Sequence, residues 1–95
     1  MANNFTIRSR RDNGSLHLFV KGDFDGSSAC VLFNTLEKNW DDCNKIFVHT
    51  QNLQNIHPFG QAVFQGNLPD LRGGMTSLFF TGESGSEIAP EYSVL

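Results

Sequence analysis

Lys45-Ile46-Phe47-Val48-His49-Thr50, then Gln51-Asn52-Leu53-Gln54-Asn55-Ile56, then His57-Pro58-Phe59-Gly60, is the stretch that decides the fold. The first six residues are β-formers, nearly continuous in apolar character. Such a run suits a strand covered on both faces in a parallel α/β arrangement. The next six read as a polar loop anchored by Leu53 and Ile56. Pro58 then opens a helix, where its missing N–H costs nothing. Residues 58–68 carry Phe59, Ala62, Val63 and Phe64 among the apolar positions of that helix. Gly60 and Gly66 each weaken it by roughly 1 kcal/mol relative to Ala. Gly60, at the helix start, therefore signals close backbone packing or a loop-like entry.

Upstream, Phe5-Thr6-Ile7-Arg8 alternates apolar and polar residues, as a half-exposed strand does. Asp12-Asn13-Gly14-Ser15 is a hairpin turn signal, and Leu16 to Val20 is the second strand, with Leu16, Leu18 and Val20 on one face. Lys21-Gly22-Asp23-Phe24-Asp25-Gly26 is a loop. Ser27 or Ser28 caps the helix after it. The apolar stripe of that helix is Ala29, Leu32, Phe33, Leu36 and Trp40, and Asp41 to Asn44 end it. Downstream, Pro69-Asp70 and Arg72-Gly73-Gly74 are loops, and Ser77 to Thr81 is a strand. Gly82 to Ser86 is a flexible loop, and Glu87 to Leu95 makes a short helix interrupted by Pro90. The order β-β-α-β-α-β implies an α/β fold. Its sheet is mixed and four-stranded, an N-terminal hairpin followed by βαβαβ, with the helices mainly on one face.

The 95 residues make one domain, 1–95. Hydrophobic residues are 39% of the chain, enough for a packed core rather than a disordered chain, and nine Phe against one Tyr suggest core filling rather than a stacking surface for bases. The net charge is −3, and a nucleic-acid binder usually carries a basic face, so nucleic acid is not an expected partner. Arg8, Arg10 and Arg11 read as a solvated strand edge that resists sheet-to-sheet pairing. Cys30 and Cys43 fit neither a CxxC motif nor a metal knuckle, and read as buried or half-buried thiols. With three His they make no zinc set, and no cofactor is implied. No segment resembles a signal peptide, and no apolar run approaches the roughly 18–20 residues that span a bilayer. The expectation is a cytoplasmic protein without direct membrane insertion.

Two motifs, taken with the element order, resemble the STAS domain, the family of bacterial anti-sigma factor antagonists and of sulfate-transporter cytoplasmic domains. Gly22-Asp23-Phe24-Asp25, then Ala29, is similar to the family's Gly-Glu-Leu-Asp run before its first helix. Lys45 to Gly60 is similar to its strand, loop and helix start, which ends in Asp-Ser-Ser-Gly. Arg72-Gly73-Gly74 before a strand matches as well. The resemblance covers residues 5–82 and leaves a short tail, 83–95. It implies a non-enzymatic regulatory module whose protein partner is an anti-sigma factor or a related kinase. The alternative it leaves open is an accessory subunit of a transport complex, handling a small ligand or lipid. Where the family carries its phosphorylated serine, this chain has Pro58, within His57-Pro58-Phe59-Gly60. Proline has no hydroxyl, so phosphorylation there is chemically impossible. His49 stands where the family has an Asp.

A strand, a loop and a helix N-terminus present free N–H groups to whatever docks there. The expected partner-binding residues are Asp25, Ser27, Ser28, His57, Pro58, Phe59, Gly60 and Gln61, acting without phosphorylation. Phe59 is either the first core residue of its helix or an exposed anchor of the aromatic kind enriched in binding hot spots. Asp23 and Asp25 either cap the loop and helix or hold a cation. His57 is a surface loop residue, a partner contact or a titrating switch. His49 reads as a structural residue at a strand end, and His17 as an exposed one. A short tail leaving an apolar patch would drive homodimerisation.

Overall fold

A two-residue turn starts the sheet. Asn13 (φ 50°) and Gly14 (φ 85°) both take positive φ, which gives a hairpin turn the twist of its strands. β1 (Thr6–Asp12) and β2 (Ser15–Phe24) pair antiparallel, with Asp12 opposite Ser15. The computed structural model describes residues 4–71 and 76–94. β3 (Lys45–Ile56) and β4 (Ser77–Thr81) follow in parallel. A two-residue strand, β5 (Ser93–Val94), extends the expected four-stranded mixed sheet at its edge, giving the order β1-β2-β3-β4-β5. The crossovers are α1 (Gly26–Asn39), α2 (Pro58–Asn67) and α3 (Glu83–Ile88). Strand order advances in one direction from β2 to β5. Parallel crossovers are right-handed, so all three helices fall on the same side of the sheet.

That side holds the core. Leu16, Leu18 and Val20 of β2, Ile46 and Val48 of β3, and Leu78 and Phe80 of β4 are buried beneath the helices. They meet Ala29, Leu32 and Leu36 of α1, Phe64 of α2 and Ile88 of α3. Phe64 stands edge-on to both Phe24 (5.6 Å between centroids) and Phe80 (6.1 Å), an arrangement that suits the ring quadrupoles.

Several expectations need correction. The polar stretch 51–56 is strand, not loop. Its backbone pairs with the end of β2 through Lys21–Asn52, Gly22–Leu53 and Phe24–Ile56, and register irregularities there absorb the mismatch. His49 therefore lies inside β3, not at its end. The strand Lys45–Thr50 is covered on one face only, because no crossover is left to cover the other. The helix cap is Asp25, not Ser27 or Ser28, and the helix begins at Gly26. Residues 83–88 form α3 where a loop was expected, and Pro90 lies beyond its end. Cys43 is buried as expected, but Cys30 is exposed. His17 is half-buried rather than exposed. The Arg72-Gly73-Gly74 motif lies outside the described residues.

Candidate functional site at two helix N-termini

The β2–α1 and β3–α2 junctions lie side by side at one end of the sheet. The backbone N–H of His57 donates to the carbonyl of Phe24 (3.0 Å), tying the start of α2 to the end of β2. Gly60 makes this approach possible. A Cβ there would sit 2.6 Å from the Phe24 carbonyl oxygen and 2.8 Å from the Asp25 carbonyl carbon, so only glycine fits without a backbone shift. Asp25–Ser28 and His57–Gln61, predicted to act together, are thus adjacent.

The two termini differ in chemistry. One oxygen of the Asp25 carboxylate accepts from the Ser28 backbone N–H (2.9 Å), the Ser27 hydroxyl (2.8 Å) and the Ser28 hydroxyl (3.0 Å). The Ser28 amide, then the Ser27 hydroxyl, hold its carboxyl far below the usual carboxylate range. The cap of α2 is His57, whose side chain makes no capping bond, and its first turn holds no acidic residue. The positive end of the α2 dipole is therefore not offset by a carboxylate of its own first turn.

The eight predicted residues divide into those that present a surface and those that build it. Phe59 is 72% exposed, which decides against its core reading, and its ring leans over Gly26. His57, Pro58 and Ser27 are exposed around it. Ser28 is 1% exposed, and its one hydroxyl proton is shared between Asp25 and the Asp23 carbonyl (2.7 Å), so it serves the loop from within. Gly60 is buried. The side-chain amide of Gln61 donates to the Glu87 carbonyl (3.0 Å), fastening α2 to α3. Asp23 accepts from the Asn55 amide (2.8 Å) while Asp25 caps α1, so the two carboxylates are engaged separately. Among the described residues no group of three or more His, Cys, Asp or Glu is placed to hold a metal ion. No helix there is long and apolar enough to cross a membrane.

Sequence reasoning missed the helix-free face of the sheet. There, cross-strand register sets Arg10, His17, Phe47 and Phe79 in one row and Arg8, Phe19, His49 and Thr81 in the next. The rings stack on one another: Phe79 on Phe47 (5.3 Å), Phe47 on His17 (5.0 Å), His17 on His49 (5.1 Å) and His49 on Phe19 (4.6 Å), with planes within 20°. The hydrogen bonds run in one direction. The Thr81 hydroxyl donates to Gln51 Oε1 (3.1 Å) and so accepts from His49 Nδ1 (2.8 Å). His49 Nε2 is then the acceptor for His17 Nδ1–H (2.9 Å), which makes His49 the neutral Nδ1–H tautomer. Burial, then the neighbouring His17 and Arg10, push the His49 imidazole below its ordinary value. Phe19, Phe47 and Phe79 have the opposite parity to the core positions of their strands, but a strand covered on both faces shows the same pattern.

The sequence matches no family model and no curated protein. Solved structures are similar in fold. An anti-sigma factor antagonist from Mycobacterium paratuberculosis matches with TM-score 0.67 at 11% identity, over 96% of this chain and 85% of that one. The anti-sigma factor antagonist SpoIIAA in its unphosphorylated form matches with TM-score 0.66 at 8% identity, over 96% and 86%. The chain thus has the STAS fold that the sequence motifs suggested.

Proposed function

We propose that this protein is a non-enzymatic regulatory module of the anti-sigma factor antagonist type, working in the cytoplasm and binding a protein partner through the paired N-termini of α1 and α2. The observation that carries the reading is Phe59, a large apolar ring 72% exposed at the junction of the two helix starts. An apolar ring beside an uncapped helix N-terminus suits a partner that brings an apolar pocket and a carboxylate. The contact is independent of phosphorylation, because Pro58 has no hydroxyl to modify. Two solved structures of like fold are anti-sigma factor antagonists, and neither favours the transport-accessory alternative.

Affinity purification from the source cell tests this, comparing wild type with Phe59→Ala and Pro58→Ser. The expected result is a protein held by wild type and lost by Phe59→Ala, with circular dichroism unchanged. The same proteins on all three baits would place the docking surface elsewhere.

A further inference from the structure

The helix-free face of the sheet is a second surface, separate from the helix N-termini. We propose that it docks an acidic amphipathic protein segment, one that lays apolar side chains over the Phe47–Phe79 ladder and carboxylates over Arg8, Arg10 and Lys21. The chain is acidic overall, yet this region reverses the sign. Beside the ladder lies an open hollow of about 460 Å³. Arg8, Arg10, Lys21, Phe19, Thr6 and Asn52 line it, and no carboxylate is among its described lining residues. The Arg10 guanidinium sits 5.7 Å from the centre of the Phe19 ring, which ties the cationic side to the aromatic one.

The ring geometry selects the occupant. A single-stranded nucleic acid would use such a platform by stacking bases on open ring faces. Here the faces are turned toward one another at centroid separations of 4.6–5.3 Å. What points outward is ring edges, the positive rim of the quadrupole, which favours apolar contact and carboxylate oxygens over a stacked base. A second copy laid face to face would bring Arg8, Arg10 and Lys21 against a surface of the same sign. Within these strands Asp12 lies at the turn end of β1, and Asp23 is held by Asn55 at the opposite end of the sheet. An acidic segment satisfies both the apolar ladder and its cationic flank.

The probe is a synthetic amphipathic peptide of about four helical turns, with Leu on one face and Glu beside it. Its Glu→Gln and Glu→Lys counterparts are controls. Binding to the full chain is followed by amide chemical shifts and fluorescence anisotropy at low and moderate salt. The Glu peptide is expected to bind with shifts on β1, β2, β3 and β4 at Arg8, Phe19, Phe47 and Phe79. It should bind at least 10-fold more tightly than the Gln peptide and weaken with salt. An Arg8→Glu/Arg10→Glu double variant on the exposed edge strand should lose at least 10-fold, and Phe47→Thr, if folded by circular dichroism, should lose as well. Phe59→Ala should bind the peptide as wild type does, which separates this surface from the one under Proposed function. Equal binding of the Glu and Gln peptides, or shifts confined to α1 and α2, would overturn the proposal. So would tighter binding of an oligothymidine, or a dimer by sedimentation that shields Phe47 and Phe79.

Discussion

Phe59 and Phe64 lie five positions apart on one helix and should respond oppositely to the same change. Phe64 is wholly buried between Phe24 and Phe80, so Phe64→Ala should cost about 3–5 kcal/mol in urea unfolding. Phe59→Ala removes an exposed ring and should stay within about 0.5 kcal/mol of wild type. Two titrating residues give pH signatures of like sign in different windows. Asp25 has its carboxyl lowered by the Ser28 and Ser27 bonds. Its contribution to stability is therefore present above the unfolded value, about 3.9, and lost as pH falls toward the lower folded value. Asp25→Asn should flatten the stability profile below about pH 4. His49 also has a lowered folded value, mainly through burial, so its protonation favours the unfolded chain. Stability should decline as pH falls below about 6.5, and the His49 imidazole should titrate by NMR below that value. His49→Gln should reduce the decline.

Elements are held together by what their glycines allow. Gly60 lets α2 begin against the backbone of Phe24 and Asp25. Gly60→Ala should destabilise the protein by about 1–3 kcal/mol, typical of forced overpacking, and should shift the amide signals of Asp25 to Ser28. At Gly66 a Cβ would meet nothing within 4 Å. Gly66→Ala should therefore stabilise by about 0.4–1 kcal/mol, through lower chain entropy in the unfolded state. Thermal or urea unfolding of the two variants checks both signs. These glycines also show how far the sequence could be read. A glycine at the start of a predicted helix pointed to close packing or a loop-like entry, and the structure shows close packing against Phe24 and Asp25. The extension of β3 to Ile56 was not legible. Asn52 and Asn55 are poor β-formers and Gln51 and Gln54 are polar, and the stretch is strand only because β2 reaches alongside. The helix Glu83–Ile88 was hidden likewise, since Gly82, Gly85 and two serines, Ser84 and Ser86, read locally as a loop, while Ile88 and Ala89 are buried in the core.

At the scale of the whole molecule, one topological fact sets which surfaces the fold presents. Strands added in one direction by right-handed crossovers place every helix on one side of the sheet. The helix N-termini then gather at one end, and no described helix covers the opposite face of the sheet. The first consequence was within reach of the sequence, because element order and the Asp25 and Gly60 regions specify it. The second was not, because a nearly continuous apolar run such as Ile46–Val48 looks the same whether one face is covered or two. Only the pairing of Phe47 with Phe79 and His17 across strands shows where those rings go.

The most direct test of the docking claim is amide chemical-shift mapping of the protein against the partner recovered on wild-type bait. Shifts centred on Asp25–Ser28 and His57–Gln61, abolished by Phe59→Ala and retained in Pro58→Ser, are the expected result. Shifts centred instead on Arg8, Phe47 and Phe79, and indifferent to Phe59, would contradict a partner site at the helix N-termini and move it to the open face of the sheet.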